Sequence, residues 1–203
     1  MTDIVLAQQP IYQGWLDLIM LRLRLGGIEC ERPIIDHVSG AAVLAYDPDR
    51  RVAMTVRQTR DAVLYLGQSI FPEAVAGVTE AEDPSTTARR EALEETGLRL
   101  TEVEPVGYVW MTPSTTTERV HLFLACYTVV DRIGPGGGAA DEIETIDARE
   151  EPLTTLWADA TSGKIADAKL FMLLQALRLR RPNLFDVHAV YPLVPSFVLE
   201  PSA

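Results

Sequence analysis

The sequence predicts an α/β fold, a domain of strands and helices behind a small N-terminal β unit. Three patterns carry that expectation. Residues 21–25 and 28–32 alternate apolar and polar side chains at period two on either side of Gly26-Gly27, as a half-buried hairpin does. Two apolar runs, 41–46 and 52–57, flank Asp47-Pro48-Asp49-Arg50, a strong turn signal. Residues 84–96 and 167–181 carry helix start and stop signals instead: Asp83 as N-cap, Pro84 at the first helical position and Gly97 behind one, Pro182 behind the other.

Taken in order, residues 1–10 are polar and expected to be loose, although Pro10 is placed to begin an ordered extension. The hairpin that follows, to about residue 38, has too few residues for a core of its own, so it must pack on the next domain or on a second subunit. The two apolar strands come next, and the second ends in Val56-Arg57-Gln58-Thr59-Arg60. Arginines at a strand end suit a bidentate grip on phosphate, and pairing with a nearby glutamate is the other reading. Glu73 lies among apolar residues, where an acid is usually paired or functional.

In the helix predicted over 84–96, Glu91, Glu94 and Glu95 stand at i, i+3 and i+4 and share one face, with Glu82 just ahead of the cap. Such neighbours repel by about 0.2–0.5 kcal/mol per pair. Arg89 and Arg90 offset part of this, and a hard divalent cation would offset more. A solvated acidic face is the plain alternative. Strands are predicted over 106–111 and 120–130, with the hydroxyl-rich loop 112–119 between them. Residues 132–140 hold four glycines and run into Asp141-Glu142-Ile143-Glu144, the composition of a mobile active-site loop or of a simple linker. A short helix over 152–162 and a longer one over 167–181 follow. The leucines of the latter lie at helical spacing and read as core. The tail 183–203 is expected to be extended. The organisation is thus a β unit over 1–38, a main domain over 39–182 and a tail.

The 203 residues carry a formal charge of −11, which argues against a nucleic-acid partner and means that a polyphosphate would need cations to approach. Cys30 and Cys126 show no metal or disulfide spacing and read as small apolar fillers, and the three histidines are scattered. No leader pattern and no apolar run near the ~18 residues of a membrane span is found, so a cytoplasmic setting and no membrane partner are expected.

The stretch from Glu82 resembles the Nudix signature without a gap: Glu82, seven residues, then Arg90, Glu91, Ala92, Glu94, Glu95, Gly97 and Leu98. Only four residues separate Gly77 from Glu82, one fewer than the signature has. Glu73-Ala74-Val75-Ala76-Gly77, Arg57-Gln58-Thr59-Arg60, the loop ending in Glu118, the glycine-acid loop and Gly163-Lys164-Ile165-Ala166-Asp167-Ala168-Lys169 resemble motifs of the ADP-ribose and GDP-mannose pyrophosphatase branch. That resemblance implies an α/β/α sandwich with a mixed sheet, an N-terminal β-domain exchanged across a homodimer, and hydrolysis of a nucleoside diphosphate sugar, ADP-ribose ahead of GDP-mannose. It implies magnesium, with manganese as the substitute, on the Ala76 carbonyl, Glu91 and Glu95, with Glu94 nearby. Glu142 or Glu144 would serve the attacking water, and Arg57, Arg60, Glu73 and Glu118 the substrate. A Nudix-fold sensor without turnover, and an enzyme of nucleoside triphosphates or dinucleoside polyphosphates, are the alternatives.

Overall fold

Strand pairing begins earlier than the sequence pattern suggests. The computed structural model describes residues 2–79, 81–138 and 145–185. β1 (Ile4–Tyr12), β2 (Asp17–Leu25) and β3 (Ile28–Asp36) form an antiparallel sheet in that order. The expectation that residues 1–10 are loose is therefore corrected. Gln8-Gln9-Pro10 breaks any period-two pattern in β1, but β2 supplies the partners, from Ile4 opposite Arg24 to Tyr12 opposite Leu18. A proline is tolerated there because β1 is an edge strand. At the predicted hairpin Gly26 and Gly27 have φ of 57° and 88°, the left-handed values that a two-residue primed turn requires.

The larger sheet holds β4 (Gly40–Asp47), β5 (Val52–Arg57), β6 (Val75–Val78), β7 (Glu104–Trp110), β8 (Arg119–Cys126) and β9 (Asp147–Pro152). Its order is β7-β8-β4-β5-β9, with β6 antiparallel to the first half of β4. β4 runs parallel to β8, so the sheet is mixed. Every residue of β4 is buried, which requires cover on both faces. Ala42, Leu44 and Tyr46 meet α3 (Leu153–Thr161) and α4 (Ala168–Arg180) through Leu153, Leu156, Leu170, Leu173, Leu174 and Leu177. Ala41, Val43 and Ala45 meet α2 (Pro84–Thr96) through Ala88 and Ala92. The architecture is an α/β/α sandwich with a separate three-stranded sheet at its N-terminal end.

Three local expectations are revised. α1 (Asp61–Tyr65) and β9 were not foreseen; β9 reads Asp-Ala-Arg-Glu-Glu-Pro and pairs as a charged edge along β5. The strand expected over 120–130 stops at Cys126, because Asp131 Oδ2 accepts from the Thr128 amide (2.7 Å) and hydroxyl (2.8 Å) and closes a 3-10 turn over Val129–Asp131. Cys126, at that strand end, is exposed rather than a core filler. Loop 112–118 continues the edge of β3: Ile35 donates to the Thr115 carbonyl (2.7 Å) and Thr117 to the Ile35 carbonyl (3.0 Å). That junction sets the N-terminal sheet beside the first residues of β4.

Candidate active site

α2 forms where its caps dictate. The Asp83 side chain accepts from the Ser85 amide (2.9 Å), Pro84 opens the helix, and Gly97 ends it at φ 74°. On its acidic face Arg90 lies among three carboxylates, with Nε 3.0 Å from Glu82, Nη2 2.9 Å from Glu91 and Nη1 2.8 Å from Glu94. The hydrogen bond from Arg90, joined by one from Thr87, holds the Glu82 carboxyl below the usual range. Burial works against the charge of Arg90, but its three acids outweigh it and raise its pKa.

Glu91 rests on the backbone of β6. A Cβ added to Gly77 would fall 1.8 Å from Glu91 Oε1, so only glycine leaves room for the carboxylate in this position. Glu95, one turn on, is 4% exposed. The described part of the glycine-rich loop, to Gly138, is docked on the end of α2. Gly137 donates to the Glu95 carbonyl (2.9 Å), Gly138 to that of Glu94 (3.1 Å) and Ile133 to that of Gly97 (2.9 Å), which satisfies carbonyls at the end of α2. A Cβ on Gly136, whose φ is 72°, would lie 2.3 Å from the Glu95 carbonyl oxygen, so a side chain there would prise the loop away. Glu142 and Glu144 lie outside the described residues.

Both strand-end arginines have carboxylate partners. Arg57 Nη2 donates to Glu151 (2.5 Å), which also accepts from Thr55 (3.0 Å). Arg57 Nη1 is buried with no hydrogen-bond partner among the described residues. Arg60 Nη2 is 3.0 Å from Glu73, an acid only 3% exposed. Asp167 caps α4 through the Leu170 amide (3.1 Å), accepts from the Ala74 amide (2.9 Å) and holds Lys169 Nζ at 2.8 Å. Lys169 Nζ is also 4.0 Å from Glu73. Two buried acids thus pin two cations at the end of β6.

Those groups border a cavity of about 260 Å³ lined by Trp15, His37, Arg60, Ala76, Gly77, Glu118 and Lys169, among others. Of the residues nominated from sequence, Arg60, Ala76 and Glu118 line it, Glu91 touches its Gly77 wall, and Glu73 lies behind it. Arg57, Glu94 and Glu95 are not among its lining residues. His37 and Lys169 were missed as lining groups. The Asp167-x-Lys169 spacing is the one signal for Lys169; nothing in sequence marks His37.

Among the described residues no group of three or more His, Cys, Asp and Glu side chains is gathered to hold a metal ion. Arg90 occupies the centre of the acidic face instead. The nominated donors nevertheless suit a hard cation in kind. The Ala76 carbonyl, Glu91 and Glu95 are all oxygen donors, and Glu91 is seated on the residue next to Ala76.

The model of the NUDIX domain matches residues 36–174, from the end of β3 into α4. The chain belongs to the NUDIX family. Nudix relatives described as GDP-mannose pyrophosphatases include one from Cronobacter sakazakii (strain ATCC BAA-894), 37% identical over 152 residues, which span 74% of this chain and 78% of the relative. One from Citrobacter koseri (strain ATCC BAA-895 / CDC 4225-83 / SGSC4696) is 34% identical over 152 residues, with the same shares covered. A solved structure described as an ADP compounds hydrolase shares the fold at a TM-score of 0.71 and 15% identity, over 90% of this chain and 96% of that one. The chain is therefore a Nudix pyrophosphatase of the ADP-ribose and GDP-mannose branch. No helix among its described residues is long and apolar enough to cross a membrane.

Proposed function

We propose that this Nudix pyrophosphatase hydrolyses the pyrophosphate bond of a nucleoside diphosphate sugar, with GDP-mannose ahead of ADP-ribose, giving a nucleoside monophosphate and a sugar phosphate. The observation that carries the reading is the seat of Glu91 on the Gly77 backbone at the cavity wall. The relatives at 34–37% identity, named for GDP-mannose, support that order, where the motifs alone favour ADP-ribose.

The metal is magnesium, with manganese as substitute, held by the Ala76 carbonyl, Glu91 and Glu95. The chemistry magnesium supplies when bound is neutralisation of the pyrophosphate oxygens, without which water does not attack them. Arg60 and Lys169 offer donors from the cavity wall to the charge that develops on phosphate. The buried Glu73 and Asp167 keep both cations in place, so little reorganisation is needed when substrate enters. Arg57, which Glu151 fixes at the end of β5 outside the cavity lining, is the further arginine on the substrate side, and Glu118 meets the substrate from the cavity wall. Glu94, paired with Arg90 at 2.8 Å, offers that arginine a partner when the metal takes up Glu91. Glu142 or Glu144 takes the proton of the attacking water.

The enzyme works in the cytoplasm as a homodimer through the N-terminal sheet. That sheet leaves Val5 60%, Tyr12 59% and Ile28 74% exposed, apolar surface that a second copy would cover. A monomer mass in light scattering would contradict the dimer.

The deciding assay offers purified protein and magnesium GDP-mannose, ADP-ribose, a UDP-sugar and a deoxynucleoside triphosphate, with products resolved by anion exchange. GMP and mannose 1-phosphate in equal amounts are expected. Binding without product would favour a sensor, and turnover of the triphosphate alone would move the substrate to another class.

A further inference from the structure

His37 sits where the N-terminal sheet meets the cavity. Its amide donates to Thr117 Oγ1 (3.0 Å), in the loop that ends in Glu118. Its ring packs 4.6 Å from that of Trp15, and both line the cavity that reaches Ala76 and Gly77. Nδ1 is 3.0 Å from the Val38 carbonyl. A carbonyl only accepts, so Nδ1 carries the hydrogen, and Nε2 of the neutral ring is an acceptor. That Nε2 is buried and has no hydrogen-bond partner among the described residues. A buried acceptor left open is costly and calls for a function.

The surroundings say what kind of group completes it. Arg60 and Lys169 are the cavity's phosphate donors under the proposed function, and His37 lines the same cavity from the N-terminal sheet, which leaves it the nucleoside or the sugar. For the neutral ring the partner is a donor, such as a hydroxyl or an N–H group. Trp15, whose ring packs on that of His37, is 80% exposed on the bend between β1 and β2, so it can shift with little loss of packing. We infer that His37 is a specificity-determining residue whose Nε2 accepts a hydrogen bond from a hydroxyl or N–H group of the substrate, outside the pyrophosphate. This rests on the nucleotide-sugar reading of the cavity.

His37→Phe keeps a ring against Trp15 and removes the acceptor, while His37→Gln returns an acceptor near the same place. In His37→Phe the KM for the sugar nucleotide is expected to rise about tenfold, with kcat changed less than twofold and the melting temperature unchanged. His37→Gln is expected to recover part of the affinity. The products identify the half touched: weaker binding of GMP alone assigns the donor to the nucleoside, and weaker binding of mannose 1-phosphate alone to the sugar. Unchanged KM and product affinities in His37→Phe would overturn the inference, as would equal weakening of both products. If the wild type binds GMP and mannose 1-phosphate in calorimetry but hydrolyses neither GDP-mannose nor ADP-ribose, the proposed activity fails. The same titrations of His37→Phe then still decide on His37.

Discussion

Two arginine-carboxylate clusters stand at opposite ends of β4, a strand about 25 Å long. Beyond its last residue, Arg50 grips both oxygens of Glu150 at 2.7 Å, and its Nε is 2.6 Å from Asp47. Tyr127 adds a hydrogen bond to Glu150 (2.9 Å), and the amides of Asp49 and Arg50 add two to Asp47 (2.9 and 3.0 Å). The acids and donors there come from distant segments of the chain and lock the turn to β9. At the other end Arg90 reaches each of Glu82, Glu91 and Glu94 by one oxygen, and all four residues come from one helix and its approach. The far cluster is a saturated clasp. The near one balances charge along one helix face, with Glu91 seated on the Gly77 backbone, and under the proposed function its acids would share their charge with a metal.

The largest separation between the two ends comes from neutralising an acid at each. Glu95→Gln is expected to lower kcat about 10³-fold, near 4 kcal/mol of barrier, with the melting temperature held within a few degrees. Glu150→Gln reverses the pattern, keeping kcat/KM within about twofold while the melting temperature falls. Steady-state kinetics and calorimetric melts of both variants check this. Equal loss of activity in the two would dissolve the distinction.

Removing the arginines sharpens it further. Arg50→Met leaves Asp47, 3% exposed, and Glu150 without their shared cation. A fully buried partner lost costs about 3–5 kcal/mol, and because the Arg50 side chain is 35% exposed the figure is discounted to about 2 kcal/mol. That lowers the melting temperature by about 4–8 °C, with or without magnesium. Arg90→Met costs less, but its three acids then depend on another cation. Its melting temperature should rise with magnesium and fall with a chelator by more than the wild type's does. A metal response no larger than the wild type's would mean that Arg90 and the metal do not share the acidic face.

The contrast also explains which features could be read from the chain. α2 was legible to the residue because Asp83, Pro84 and Gly97 act within one turn of themselves, and the glutamates share a face by spacing alone. β4 and β5 were legible through their apolar runs. β1 and β9 were not, since Gln8-Gln9-Pro10 and Arg149-Glu150-Glu151 become strand only through partners far away in sequence. The clasp was hidden for the same reason: Arg50 and Glu150 are a hundred residues apart. At the site, Arg60 and Glu73 were nominated separately, but their pairing and the role of Asp167 in fixing Lys169 needed the packing of α4 on β6. The composition of residues 132–140 leaves a mobile loop and a linker open, because glycine permits motion and close approach alike; the fit of Gly136–Gly138 against the Glu94 and Glu95 carbonyls is visible only in the fold.

The smallest effect expected is in acid. Hydrogen bonds from Arg50 hold the Glu150 carboxyl below its ordinary value of 4.5. For Asp47 burial pushes the other way, but the Arg50 amide and guanidinium outweigh it and keep its carboxyl below 3.8. A carboxyl depressed by folding adds stability at pH values above its unfolded pKa and loses it as pH falls through the folded one. Urea midpoints should therefore be flat from pH 7 to about 5 and decline below about pH 4.5. In Arg50→Met the decline should be shallower, because neither acid is held down any longer. Arg90→Met should flatten it less, since the Glu82 carboxyl that Arg90 holds down is part-exposed and keeps its bond from Thr87. A variant at Arg90 that flattened the acid limb as much as one at Arg50 would show that the near cluster is a clasp too.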